Sequence, residues 1–237
     1  MAHYALGTHQ LGSQALDIQE RIIGDETRTQ LLKAGLREGM AVWEYGCGNG
    51  ASTLEIAKII GPNGHVTAFD QSDAQLQRVK DKTKRLGHTN VTLRMIDLET
   101  WEPPKDVADF VFGRYILMHL QNPHRLLAKS YDTLLKDGGC ALYAESSWKD
   151  TTFTGPFLEE LNAFKQSVIA LGQTKGADYN FGRKLKSAME CAGFKGVREE
   201  CTTFTFSDKL FADIFFHSPA RVGCTVSCKR LYKRECA

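Results

Sequence analysis

The densest chemical signal in the chain is the run Glu44-Tyr45-Gly46-Cys47-Gly48-Asn49-Gly50-Ala51. An apolar β-type segment ends there and a helical pattern begins. Glycines let the backbone turn through conformations that other residues resist, and they leave no Cβ in a ligand's way. The free N–H groups of the following helix start then face whatever occupies the turn. Cys47 reads as a backbone contact, because nothing near it marks an activated thiolate. The turn alone is ambiguous. Gly46, Gly48 and Ala51 also satisfy the dinucleotide pattern G-x-G-x-x-A, and a glycine-rich turn can be purely structural.

Three carboxylates narrow the chemistry. Glu44 lies two residues before the first glycine, where an anion repels a pyrophosphate and suits an ammonium or sulfonium. Asp70 closes the next β-type run, 20 residues after Gly50, a position from which an acid accepts hydrogen bonds from ribose hydroxyls. Asp97 closes the third run, within reach of an exocyclic amine such as that of adenine. One acid after a strand is an ordinary cap or turn residue. Three at successive strand ends point to a shared crevice.

The elements that must position these groups follow from periodicity. Residues 40–45, 65–69, 91–96, 109–113 and 140–144 read as strands. Helices are expected over 51–60, from the Ser72 cap with its capping-box partner Gln75 to Gly87, and from Asn122-Pro123 to Gly138-Gly139. This β-α-β-α rhythm predicts an α/β fold with a mostly parallel sheet and helices on both faces. Residues 1–39 are expected to form a helical N-terminal extension. Residues 150–181 form an insertion. Its stripe of Phe157, Leu158, Leu161, Phe164, Val168 and Leu171 reads either as a core face or as a lid over a substrate cavity.

Composition bounds the function. The chain has 237 residues, 42% apolar and 24% charged, with 30 Lys and Arg against 28 Asp and Glu. That excludes a disordered or fibrous protein and argues against a surface steered to nucleic acid. No stretch approaches about 18 uninterrupted apolar residues, so no membrane insertion is expected. The start of the chain lacks a basic segment followed by an apolar core, so a cytoplasmic location and free thiols are expected for the seven cysteines. Cys224, Cys228 and Cys236 match no common zinc spacing, and no metal is expected.

Taken together, residues 42–50, 66–70, 95–98, 109–120, 134–139 and 182–194 resemble, in order, the motifs of class I S-adenosylmethionine-dependent methyltransferases. The likeness covers roughly 35–206. The opening Tyr4-Ala5-Leu6-Gly7 is similar to the leader of a small-molecule branch. The resemblance implies a single domain with a Rossmann-like, doubly wound, seven-stranded sheet. Its cofactor-binding core would span 40–149, with a late helix and strand over 182–206 and a tail from 207. Residues 225–232 are the candidate for a final antiparallel edge strand. The resemblance also implies S-adenosylmethionine as cofactor and direct in-line transfer of its methyl group to a small-molecule acceptor. Tyr4 would fold over the cofactor. Gly46, Cys47 and Gly48 would pass its methionine part, and Glu44 would hold the amino group. Asp70 would bind the ribose, with Gln71, Asp97 and Leu98 at adenine. Arg114 would lie near the methionine carboxylate or the substrate. His119 and Glu145 are the candidate general bases. Gly113-Arg114-Tyr115-Ile116 lacks the Pro-Pro motif of enzymes that methylate DNA bases or glutamine amides. The alternatives are an NAD(P)-dependent oxidoreductase, or a non-catalytic relative that keeps the cofactor site.

Overall fold

Neighbouring residues of the strands point to opposite faces, and both faces are apolar, so helices must cover each side. The computed structural model describes residues 10–154, 158–206 and 223–233. After α1 (Gln10–Lys33) come β1 (Ala41–Tyr45), α2 (Ala51–Ile60), β2 (His65–Asp70), α3 (Asp73–Arg85), β3 (Val91–Met95) and β4 (Ala108–Arg114). These are followed by α4 (Pro123–Lys129), β5 (Leu135–Glu145), β6 (Thr152–Thr154), α5 (Leu158–Thr174), α6 (Leu185–Cys191), β7 (Arg198–Phe206) and β8 (Gly223–Lys233). The strands run in the order β3-β2-β1-β4-β5-β8-β6, with β7 on β8. β1 to β5 are parallel, and β8 is antiparallel to β5, β6 and β7.

The two cores show the alternation directly. Val42, Val66, Phe110 and Phe112 pack with Leu31 of α1 and with Ile56 and Ile60 of α2. Tyr45, Phe69 and Val111 pack on the opposite face with Leu126 and Leu127 of α4 and Leu185 and Met189 of α6. Strand order reverses at β1, whose neighbours are β2 and β4. A crevice opens beyond the carboxyl ends of the strands at such a point.

Three expectations change, and an open one is narrowed. The sheet has eight strands among the described residues, not seven, because Thr152–Thr154 adds a short antiparallel pairing to β8. The helix opened by Asn122 stops earlier than Gly138. After α4 a π-helical turn (Ser130–Leu134) intervenes, and Leu135 already pairs with Ala108 in the sheet. Ser130 is buried there, joined to the hydroxyls of Tyr45 and Tyr143 at 3.0 Å each. The thiols are not all free. Cys47 and Cys191 are, but Cys140 and Cys201 are disulfide-bonded, on strands that both pair with β8. In α5, Leu161 is buried, whereas Leu158 and Leu171 are exposed at 43% and 52%. The stripe is thus partly core, and Phe157 lies outside the described residues.

Candidate functional site

The parallel register brings the three acids to one end of the sheet. Tyr45 sits beside Phe69 and Gly113, and Asp70 beside Met95. Between β1 and α2 the glycine turn needs left-handed backbone, with φ of +68° at Gly46 and +81° at Gly50. A Cβ on Gly50 would stand 2.7 Å from Cγ2 of Val79, and one on Gly46 would stand 2.9 Å from Cδ1 of Ile116. The turn therefore packs against both α3 and the loop after β4.

A hollow opens in front of this turn. It is lined by Gly46, Cys47, Gly48, Asp70, Gln71, Asp97, Leu98, Arg114 and His119, all expected from sequence. Asp70 is fixed by backbone donors: the N–H of Gly48 donates to Oδ2 and that of Ser72 to Oδ1, both at 2.9 Å. Burial pushes its carboxyl above the usual range, opposed by these bonds. Asp97 accepts from the N–H of Glu99 at 3.0 Å. Burial, with Glu44 and Asp70 nearby, drives the Cys47 thiol well above its ordinary value, so it is no thiolate.

Two expected residues lie outside the lining, and a third within it is held from α1. Glu44 ends up 1% exposed and does not line the hollow. Both its oxygens are taken by the first turn of α2, with Ser52 Oγ and Thr53 Oγ1 donating at 2.6 Å. It ties β1 to α2 from behind the turn. Glu145 does not line the hollow either. Its Oε1 accepts from the N–H groups of Ile116 and Leu117 at 2.9 and 2.8 Å, which fixes the loop after β4. Arg114 does line the hollow, but its guanidinium is engaged by α1. Nη2 donates to Glu20 Oε2 and Nη1 to Thr27 Oγ1, both at 2.8 Å. Tyr4 lies outside the described residues.

His119 stands edge-on to Tyr179, with ring centroids 5.5 Å apart. Burial lowers its pKa from 6.5 to about 4, so the ring is neutral near pH 7. Beside it Tyr115 has φ of +54°, a left-handed conformation that costs on the order of 1–3 kcal/mol for a bulky residue. Burial pushes its hydroxyl up to about 12. The N–H of Tyr115 donates to the Ala144 carbonyl at 2.9 Å, so β5 holds the strained turn on both sides.

Sequence reasoning missed several lining residues, among them Leu16, Gln75, Glu99 and Tyr115. Leu16 belongs to α1, whose Asp17 accepts from Nδ2 of Asn49 in the glycine turn at 2.7 Å. No motif announces a helix that docks from this distance. Glu99 takes the N–H groups of Gln121 and Asn122, bracing the loop after β3 against the start of α4. An acid two residues beyond Asp97 was the only available hint. Among the described residues no cluster of His, Cys, Asp and Glu could hold a metal, and no helix is long and apolar enough to cross a membrane.

A family model described as a methyltransferase domain matches residues 36–184. The chain is 30% identical over 106 residues to an (S)-coclaurine N-methyltransferase of Thalictrum flavum subsp. glaucum, covering 45% of this chain and 29% of that protein. It is 26% identical over 148 residues to an aklanonic acid methyltransferase of a Streptomyces species, covering 62% of this chain and 59% of that one. It thus spans less than two thirds of either relative. Its fold is similar to that of a SAM-dependent methyltransferase from Aquifex aeolicus, with a TM-score of 0.56 and 18% identity over 91% of this chain and 97% of the other.

Proposed function

The chain belongs to the methyltransferase-domain family, and on that premise we propose that it transfers a methyl group from S-adenosylmethionine to a small-molecule acceptor. The charge of the hollow carries this reading. Among the described residues Asp70, Asp97 and Glu99 line it, while the one lining arginine is paired with Glu20 and His119 is neutral. Such a surface attracts a cation and repels a pyrophosphate. The two named relatives act on small molecules, which favours an acceptor of that size here.

The residues fit the cofactor. The glycine turn would allow close backbone approach of the amino-acid part, Asp70 would offer acceptors for ribose, and Ile96 and Leu98, which line the same hollow, would flank adenine with Asp97 for its amine. When bound, the sulfonium supplies an already activated methyl group. The chain's task is then alignment. Holding donor and acceptor in line removes on the order of 7–11 kcal/mol of barrier. Ile116 and Tyr115, fixed from β5, form the wall against which the acceptor is set. His119 lines the same hollow and is the candidate base for an acceptor that must lose a proton. Glu44 and Glu145 act as positioning residues.

Calorimetric titration with S-adenosylhomocysteine tests the reading. We expect saturable one-site binding, and no heat at millimolar ligand overturns it. Transfer of labelled methyl from S-adenosylmethionine to a panel of phenols, enols and amines then separates an enzyme from a protein that binds the cofactor without turnover.

A further inference from the structure

Ser72 and Gln75 read in sequence as a capping box, in which the glutamine side chain returns to the N–H of the cap. The structure forms only half of it. Ser72 Oγ accepts from the N–H of Gln75 at 3.4 Å, but the N–H of Ser72 donates to Asp70 Oδ1. The Gln75 side chain is thereby released from its local role. It is 3% exposed, it lines the hollow, and its Oε1 meets no donor among the described residues. A buried amide oxygen without a donor destabilises a fold; Gln75 Oε1 is closed off beside the hollow, and a rotation of the side chain brings it to a ligand that supplies the missing partner.

Building on the cofactor reading above, we propose that Gln75 is a further cofactor-binding residue whose side-chain amide pairs with a ribose hydroxyl of the adenosyl group. Position selects the ribose. Gln75 lies on the first turn of α3, which starts three residues after Asp70, and Asp70, Gln71, Ser72 and Gln75 line the hollow together. The loop after β3, with Ile96 to Glu99, supplies the lining from a separate segment for the base. A hydroxyl also pairs with either end of an amide, since it both donates and accepts.

The test compares wild type with Gln75→Met, a variant of similar length without polar atoms. Calorimetry would use S-adenosylhomocysteine and its 2′-deoxy and 3′-deoxy forms, and thermal unfolding would be recorded without ligand. We expect the variant to bind S-adenosylhomocysteine about three- to tenfold more weakly. Wild type should discriminate against one deoxy form by a similar factor, and the variant should lose that discrimination. Without ligand the variant should unfold at the same or a higher temperature, because the orphaned oxygen is gone. Equal weakening for all three ligands overturns the proposal. So does unchanged affinity with a lowered unfolding temperature, which would make Gln75 a structural partner of Arg78, whose Nη1 is also unmatched on α3. If wild type binds none of the three ligands, the cofactor reading itself fails, and this inference with it.

Discussion

The two walls of the hollow are built in different ways. On the β1–β2 side the two carboxylates find their partners close in sequence: Glu44 meets Ser52 and Thr53 across 8 and 9 residues, and Asp70 meets Gly48 across 22. On the β4–β5 side they come from afar. Glu145 holds Ile116 across 29 residues, and Arg114 reaches Thr27 and Glu20 across 87 and 94. The first wall is a motif whose parts satisfy one another. The second is an assembly that exists only once α1, β4 and β5 have met. A binding turn can therefore be local, while the surface that orients a reaction partner depends on the whole fold.

Removing the keystone of the second wall should have the largest effect. Glu145→Ala leaves the N–H groups of Ile116 and Leu117 without their acceptor, at about 1–3 kcal/mol each. We expect a loss of about 2–5 kcal/mol in denaturant unfolding, and Glu145→Gln, which keeps a carbonyl oxygen, should lose less than half as much. A loss under about 1 kcal/mol for the alanine variant would show that the second wall does not need its clamp. In the first wall, Asp70→Ala should weaken S-adenosylhomocysteine about 10- to 100-fold, the worth of hydrogen bonds to a charged group. Calorimetry reads this, and an unchanged affinity removes Asp70 from the site.

A smaller effect separates the walls by pH. Burial raises the Glu44 carboxyl above its ordinary 4.5, against the lowering pull of Ser52, Thr53 and Arg114. The folded protein then holds that proton more tightly than the unfolded chain. The resulting stability is complete below about 4.5 and is lost as pH rises through the folded value. Glu44→Gln cannot ionise, so its stability relative to wild type should increase from pH 4 to pH 8, as denaturant curves at the two pH values would show. A flat difference would mean that the bonds from Ser52 and Thr53 and the charge of Arg114 fully offset the burial. The smallest signal belongs to His119, whose pKa is lowered from 6.5 to about 4. Its neutral form is the one the fold favours, so this contribution is present above 6.5 and is lost as pH falls through about 4. Its imidazole resonances should stay constant between pH 8 and about 5.5, and an inflection near 6.5 would place the ring in water.

Sequence alone determined the β-α-β order, the glycine turn and the acids that close three successive strands. These rest on periodicity and on residue types that permit or forbid a local conformation, and both can be read without knowing what lies across the chain. It could not assign jobs to those acids. Glu44 and Asp70 look alike beside their strands, yet α2 covers one with hydroxyls, while the other stays at the hollow with two backbone donors. Tertiary structure also decided that Arg114 pairs with α1, that Tyr115 adopts a left-handed turn and that Gln75 loses its capping partner to Asp70. Each of these outcomes depends on which groups compete for a donor or acceptor at hydrogen-bond range, and that competition is settled only when distant segments are packed together.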